Sequence, residues 1–189
     1  MSLRTTAVLV GLLFLTSTAA FAVGSASMGT ALGDALVAYT GLAVAGIGLA
    51  LFPVLKPHGQ GLATAYALLR SVECLALLAF ATFVGAVANY DLVVYTLSGL
   101  GGLALSVLLV RSRLVPRWLA LTGVVGYASL LAGVVSEAVG LSELDSGIGM
   151  AFYVPGGVFE LVLPILLLVK GFRRVEPVGA IAIDPIPAR

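Results

Sequence analysis

Residues 61–80 form an apolar stretch that contains two charged side chains, Arg70 and Glu73. About 20 residues of this hydrophobicity are enough for an α-helix to cross a bilayer. Charged side chains within such a helix are costly to bury, and they normally pair with one another or face a water-filled cavity. The stretch therefore predicts a transmembrane helix whose packing must satisfy an intramembrane arginine and glutamate.

The composition extends this prediction to the whole chain. Of its 189 residues, 60% are hydrophobic and only 10% are charged, and the mean hydropathy is +1.15. Soluble domains have about 25% charged residues, so most of this surface cannot face water. One cysteine and one histidine exclude an internal disulfide and bis-histidine haem ligation within one protomer. We expect no metal, no cofactor and, at a net charge of +1, no nucleic-acid partner.

Six apolar segments separated by short polar loops predict an all-α integral membrane bundle of six transmembrane helices. The predicted spans are about 6–23, 35–55, 61–88, 92–110, 118–139 and 150–169. They form one transmembrane domain over 1–174, and the proline-containing end, 175–189, is expected to be a flexible tail. The first segment can also be read as a signal peptide that ends near residues 20–22. We expect it to be retained, because six spans place both termini on one side.

The charges in the loops predict the orientation of the bundle. One side carries the basic residues Arg4, Lys56, Arg111, Arg113, Arg117, Lys170, Arg173 and Arg174. The other side carries only acidic residues, namely Asp34, Asp91, Glu137, Glu143 and Asp145. The positive-inside rule makes the basic side, both termini and the tail cytoplasmic. In the second basic loop, Arg111, Arg113, Arg117 and Trp118 are expected to contact lipid headgroups.

A third charged residue, Glu160, lies within the sixth span at nearly the same depth as Arg70. At 1.5 Å per residue, both lie about 14–15 Å from the basic ends of their spans. Glu73 follows Arg70 by one turn on the same helical face. Because arginine offers five donors in a fixed fork, we predict a direct contact between Arg70 and Glu160 that joins spans 3 and 6. Glu73 is then the second partner.

Two interpretations of this Arg/Glu network remain open. It can be a buried ion network that fixes helix register, or it can lie on a cytoplasm-facing cavity that binds a polar ligand or passes protons. Tyr66 and Tyr153 are candidate cavity-lining residues. Pro164 is a third candidate, because a proline inside a helix removes a backbone donor and can kink the helix beside Glu160.

Three motifs occur in order along the chain. They are LFPVLK at 51–56 followed by 61–73, RSRLVPRWLA at 111–120, and PGGVFE at 155–160 running to LVKGF at 168–172. Together they resemble the bacterial and archaeal membrane family called domain of unknown function 4386. The resemblance implies a six-helix protein of the prokaryotic cytoplasmic (inner) membrane and emphasises Arg70, Glu73, the basic loop and Glu160. It implies no activity.

The sequence does not indicate a substrate. The leading prediction is a non-enzymatic accessory or ligand-binding membrane protein, with the lipid bilayer, a second copy of the chain or another membrane protein as partners. The alternative is a small transporter or proton-coupled carrier that uses Glu160 or Glu73. An enzyme is the least favoured class, because no nucleophile and base of suitable spacing can be assembled.

Overall fold

The computed structural model describes residues 2–83 and 90–173, and every regular element in those ranges is helical. The helices are α1 (Leu3–Ala26), α2 (Ala31–Leu55), α3 (Gln60–Thr82), α4 (Tyr90–Ser112), α5 (Arg117–Ala138) and α6 (Val154–Val169). Short 3₁₀ segments extend two of them: Lys56–His58 follows α2, and Gly147–Tyr153 precedes α6. With these extensions, all six helices are long and apolar enough to cross a membrane. The protein is therefore a multi-pass helical membrane protein.

The helix ends differ from the predicted spans because of local capping. α1 and α2 begin about one turn earlier than predicted, where hydroxyl side chains cap the first turn. The N–H of Thr5 donates to Oγ of Ser2 at 3.1 Å, and the N–H of Gly33 donates to Oγ1 of Thr30 at 3.0 Å. α3 ends at Thr82, earlier than predicted. Residues 84–88 of that predicted span and the predicted tail, 175–189, lie outside the described residues.

The six helices form a ring in which consecutive helices are antiparallel neighbours and α1 packs against α6. Glycines allow the backbones to approach closely at several of these contacts. A methyl group on Gly11 of α1 would lie 3.0 Å from the carbonyl oxygen of Pro164 in α6. A methyl group on Gly126 of α5 would lie 2.6 Å from Cα of Gly156 in α6. Small residues in these helices thus serve packing within one bundle.

The up-and-down ring separates the charges into a basic end and an acidic end. The basic end carries Arg4, Lys56, Arg111, Arg113, Arg117, Lys170 and Arg173. The acidic end carries Asp34, Asp91, Glu137, Glu143 and Asp145, and within 2–83 and 90–173 it has no lysine or arginine. At the basic end, the guanidinium of Arg4 donates to the carbonyl of Leu168 at 2.7 Å, and so joins the start of α1 to the end of α6.

The two halves of the ring are filled differently. In the half near the basic end, the interior is closed by fully buried leucines. They include Leu55 of α2, Leu108 of α4, Leu119 of α5 and Leu167 of α6, each at most 1% exposed. In the half near the acidic end, the interior contains a cavity.

Candidate ligand-binding cavity

The cavity has a volume of about 610 Å³ and is lined by residues from all six helices. Arg70, Glu73 and Glu160 line its inner end, which we call the floor. The cavity extends past apolar side chains to Ser25, near the end of α1, and to Asp145, in the exposed loop at the acidic end. One of the two interpretations of the Arg/Glu network placed it on a cavity open at the basic end, but the cavity extends toward the acidic end, and packed leucines fill the basic half of the ring. Which end faces the cytoplasm stays a prediction.

Arg70 and Glu73 form a buried ion pair on one face of α3. Nη1 of Arg70 lies 2.6 Å from Oε2 of Glu73, and the two residues are 5% and 3% exposed. Their spacing of three residues places both side chains on the same side of the helix. The guanidinium also lies over the ring of Tyr66, 5.5 Å from its centroid, where a cation–π contact adds to the pairing.

Glycines on the two neighbouring helices make room for the arginine. A methyl group on Gly48 of α2 would lie 2.9 Å from Cβ of Arg70, and one on Gly101 of α4 would lie 3.2 Å from its Nε. The side chain is therefore held between two helix backbones. Nε of Arg70 and the hydroxyl of Tyr66 are buried without a hydrogen-bond partner among the described residues.

Glu160 is bound by a residue that the sequence analysis did not identify. The hydroxyl of Tyr127 in α5 donates to Oε1 of Glu160 at 2.9 Å. Tyr127 is 1% exposed, and its ring packs edge-on against Phe159 at 5.7 Å between centroids. Its ring also covers Gly102 of α4, where it leaves no room for a methyl group. A tyrosine in the middle of a span, far from either interface, was the available signal, because its buried hydroxyl needs a partner.

The predicted contact between Arg70 and Glu160 is not formed. Within the described ranges, the only ion pair of Arg70 is with Glu73. The reason is the order of helices in the ring: α3 packs against α2 and α4, whereas α6 packs against α5 and α1. Equal depth in the membrane therefore places the two side chains on opposite walls of one cavity. Arg70 of α3 and Glu160 of α6 therefore both line the cavity floor but do not form an ion pair with each other.

The other candidate residues lie in three different environments. Tyr153 lines the cavity near its acidic end, and its hydroxyl donates to Oδ1 of Asp145 at 2.9 Å. Tyr66 is completely buried beneath Arg70, outside the cavity wall. Pro164 is buried in α6 against α1, also outside the wall.

The basic loop between α4 and α5 lies at the other end of the molecule from the cavity. Its residues Arg111, Arg113, Arg117 and Trp118 are all exposed, with 58% of Trp118 accessible. The loop is fixed to the end of α6, because the N–H of Arg173 donates to the carbonyl of Leu114 at 2.8 Å. Contact of these four side chains with lipid headgroups stays a prediction.

Comparison with known proteins identifies one family. No curated protein matches the chain. No solved structure matches it either. The family model described as "Domain of unknown function (DUF4386)" matches residues 81–171, a range that contains Glu160, Tyr127 and the basic loop but not Arg70 or Glu73. From the end of α3 to just beyond α6, the chain thus matches the DUF4386 family, and the resemblance inferred from its motifs is confirmed.

Proposed function

We propose that this protein is a ligand-binding membrane protein that holds a small, largely apolar molecule inside the helical ring. The observation that carries this proposal is the cavity of about 610 Å³ with Arg70, Glu73 and Glu160 at its floor. Its volume lies within the range of known small-molecule sites, about 300–1,000 Å³. Its construction is also typical of such sites, since apolar walls surround a few converging polar groups.

The cavity favours a binding role over a purely architectural one. If the charge network only fixed helix register, the protein would be more stable with the surrounding space filled by side chains, because an unfilled cavity loses packing contacts. Here the basic half of the ring is filled and the charged residues border the unfilled half. Ionisable side chains that face an intramembrane cavity are candidates for contacts with a ligand or an ion.

The charge distribution supports an orientation for the site. Under the positive-inside rule, the basic end faces the cytoplasm and the acidic end faces outward. In a prokaryotic cytoplasmic membrane, the cavity then occupies the outer half of the bilayer. A ligand would enter from the outer leaflet or the external medium rather than from the cytoplasm.

A cavity-filling substitution tests the proposal. Ser98 of α4 lines the cavity, and Val93 on the same helix is 44% exposed on the outer surface of the ring. We expect wild-type protein in lipid nanodiscs to bind the neutral probe 2-naphthylmethanol saturably, at one site per chain, above the level of empty nanodiscs. Ser98→Phe should abolish this saturable binding, and the matched variant Val93→Phe should retain it. Equilibrium dialysis measures the binding of the probe to the wild type and to each variant. Saturable binding that is equal in the two variants would contradict the proposal, as would the absence of saturable binding to the wild type both for this probe and for its amine and carboxylate analogues.

A proton-coupled carrier is the second candidate, and the setting of Glu160 favours it. This side chain is partly accessible within the cavity, and within 2–83 and 90–173 its one hydrogen-bond donor is a hydroxyl. Such a carboxyl group can exchange a proton with a ligand or with water. A carrier predicts that a pH gradient drives probe uptake into proteoliposomes and that Glu160→Gln abolishes the uptake. A protein that only binds predicts no gradient-driven uptake in either form.

A further inference from the structure

We propose that the cavity selects a hydrophobic organic cation, such as an aryl or alkyl amine, whose charge is held by Glu160. This inference rests on the proposed ligand-binding function and names the class of ligand. Three independent features of the cavity lead to it: the balance of charge at its floor, the potential at its acidic end, and the aromatic side chains near that end.

The floor contains one basic group and two acidic groups. Nη1 of Arg70 is engaged by Glu73 at 2.6 Å, so these two charges compensate each other. Among the described residues, Glu160 has no ion-pair partner, and Tyr127 is its one hydrogen-bond donor. An ionised carboxylate in a low-dielectric site is costly unless a cation compensates it. An ammonium group supplies that cation, whereas a carboxylate or phosphate ligand adds a third negative group beside the first two.

The acidic end of the molecule attracts the same class of ligand. It carries five carboxylate side chains and, in the described part of the chain, no lysine or arginine. One of the five, Asp145, lies in the cavity wall. A concentration of one sign of charge around the entrance to a low-dielectric site raises the local concentration of oppositely charged molecules. Cations are therefore drawn to the end at which the cavity reaches the surface.

Three aromatic rings near the acidic end favour an organic cation over an inorganic one. Phe21 of α1 lies 6.4 Å from Tyr95 of α4, and Tyr95 lies 5.3 Å from Tyr153, measured between ring centroids. All three line the cavity, and aromatic faces attract organic cations. Deeper in the cavity, Phe14 and Leu77 supply apolar wall. Small metal ions need several ligands close together, and within the described ranges no group of three or more His, Cys, Asp or Glu side chains could hold a metal ion.

Three probes of the same size and different charge test the inference. They are 2-naphthylmethylamine, 2-naphthylmethanol and 2-naphthoate, which are cationic, neutral and anionic at pH 7. We expect nanodisc-embedded wild-type protein to bind the amine at least about tenfold more tightly than the alcohol, equivalent to about 1.4 kcal/mol. The anion should bind most weakly. Affinities are measured by equilibrium dialysis with subtraction of empty nanodiscs, since the amine also partitions into lipid.

Two charge-removing variants test whether Glu160 causes the tighter binding of the amine than of the alcohol. Glu160→Gln should lower the affinity for the amine to that for the alcohol. Glu143→Gln removes the same charge from an exposed residue that belongs to the acidic end but not to the cavity wall, so it should lower the preference far less than Glu160→Gln does. The comparison among the three probes uses the unmodified protein, so its outcome does not depend on whether a variant folds.

The possible results separate this inference from the function on which it rests. Equal binding of amine and alcohol, a preference for naphthoate, or an unchanged preference in Glu160→Gln would overturn the cation inference alone. In those cases, saturable binding that Ser98→Phe removes still supports a ligand-binding cavity. Absence of saturable binding for all three probes would overturn both.

Discussion

Removing the guanidinium of Arg70 tests how strongly the buried ion pair stabilises the bundle. The substitution Arg70→Met keeps a long apolar stem but leaves Glu73, which is 3% exposed, without its partner. Two unit charges about 4 Å apart attract by about 4 kcal/mol at an effective dielectric constant of 20. Breaking a buried pair from one side typically costs about 3–5 kcal/mol, because the remaining charge stays desolvated. We therefore expect Arg70→Met to lower the free energy of unfolding by about 3–5 kcal/mol.

The double variant Arg70→Met with Glu73→Met distinguishes the attraction within the pair from the cost of burying one charge without a partner. Replacing both members of a buried pair with apolar side chains is often nearly neutral. We expect the double variant to recover most of the stability that Arg70→Met loses. The free energy of unfolding is measured in mixed micelles by titration with sodium dodecyl sulfate, with far-ultraviolet circular dichroism as the readout. Arg117→Met, at an exposed position of the basic loop, is the matched control and should change stability by less than about 0.5 kcal/mol.

Two results would refute this reasoning. One is a double variant whose loss of stability equals the sum of the losses measured for Arg70→Met and for Glu73→Met alone, because that outcome means no coupling between the side chains. The other is an Arg70→Met protein as stable as Arg117→Met. Either result would mean that the pair observed on α3 contributes little to the folded state.

Four other predictions concern single positions. Gly102→Ala should destabilise the protein by about 1–3 kcal/mol, because the new methyl group overlaps the ring of Tyr127. Gly157→Ala should leave the melting temperature unchanged or slightly raised, because nothing lies within 4 Å of its methyl position. Tyr127→Phe should lower stability by about 1–3 kcal/mol, since Glu160 loses its donor, but the preference for the amine probe should survive, as dialysis will show. Trp118 is the single tryptophan. Brominated lipids should quench its fluorescence more strongly when the bromine lies near the headgroups than near the chain ends, and the reverse order would contradict headgroup contact.

The number and order of the helices could be predicted from sequence because a bilayer imposes a minimum length and apolarity on each span. The ends of the helices could not be placed to the residue. Ser2 and Thr30 look like loop residues in composition, yet their hydroxyls cap α1 and α2 and extend both helices. Side-chain hydrogen bonds within one turn decide such ends, and hydropathy does not describe them.

Only those contacts of the candidate site that lie within one helix could be predicted from the sequence. Arg70 and Glu73 lie one turn apart on one helix, so their pairing follows from helical geometry alone. The partner of Glu160 depends on which helix packs beside α6. The sequence indicates how deep a residue lies in its span, but it does not indicate which helices are neighbours. The same applies to the cavity, whose position depends on which half of the ring the leucine side chains fill.

Closure of the ring by α1 and α6 has a consequence for how the protein is made. α1 leaves the ribosome before α6, with four helices between them, yet Gly11 of α1 packs against Leu168 of α6. During synthesis, this face of α1 must be covered by lipid or by the insertion machinery until the sixth helix arrives. Docking of α6 therefore replaces that temporary cover, and it also completes the wall of the cavity. A chain truncated before α6 would enter the membrane with its interior open to lipid on one side.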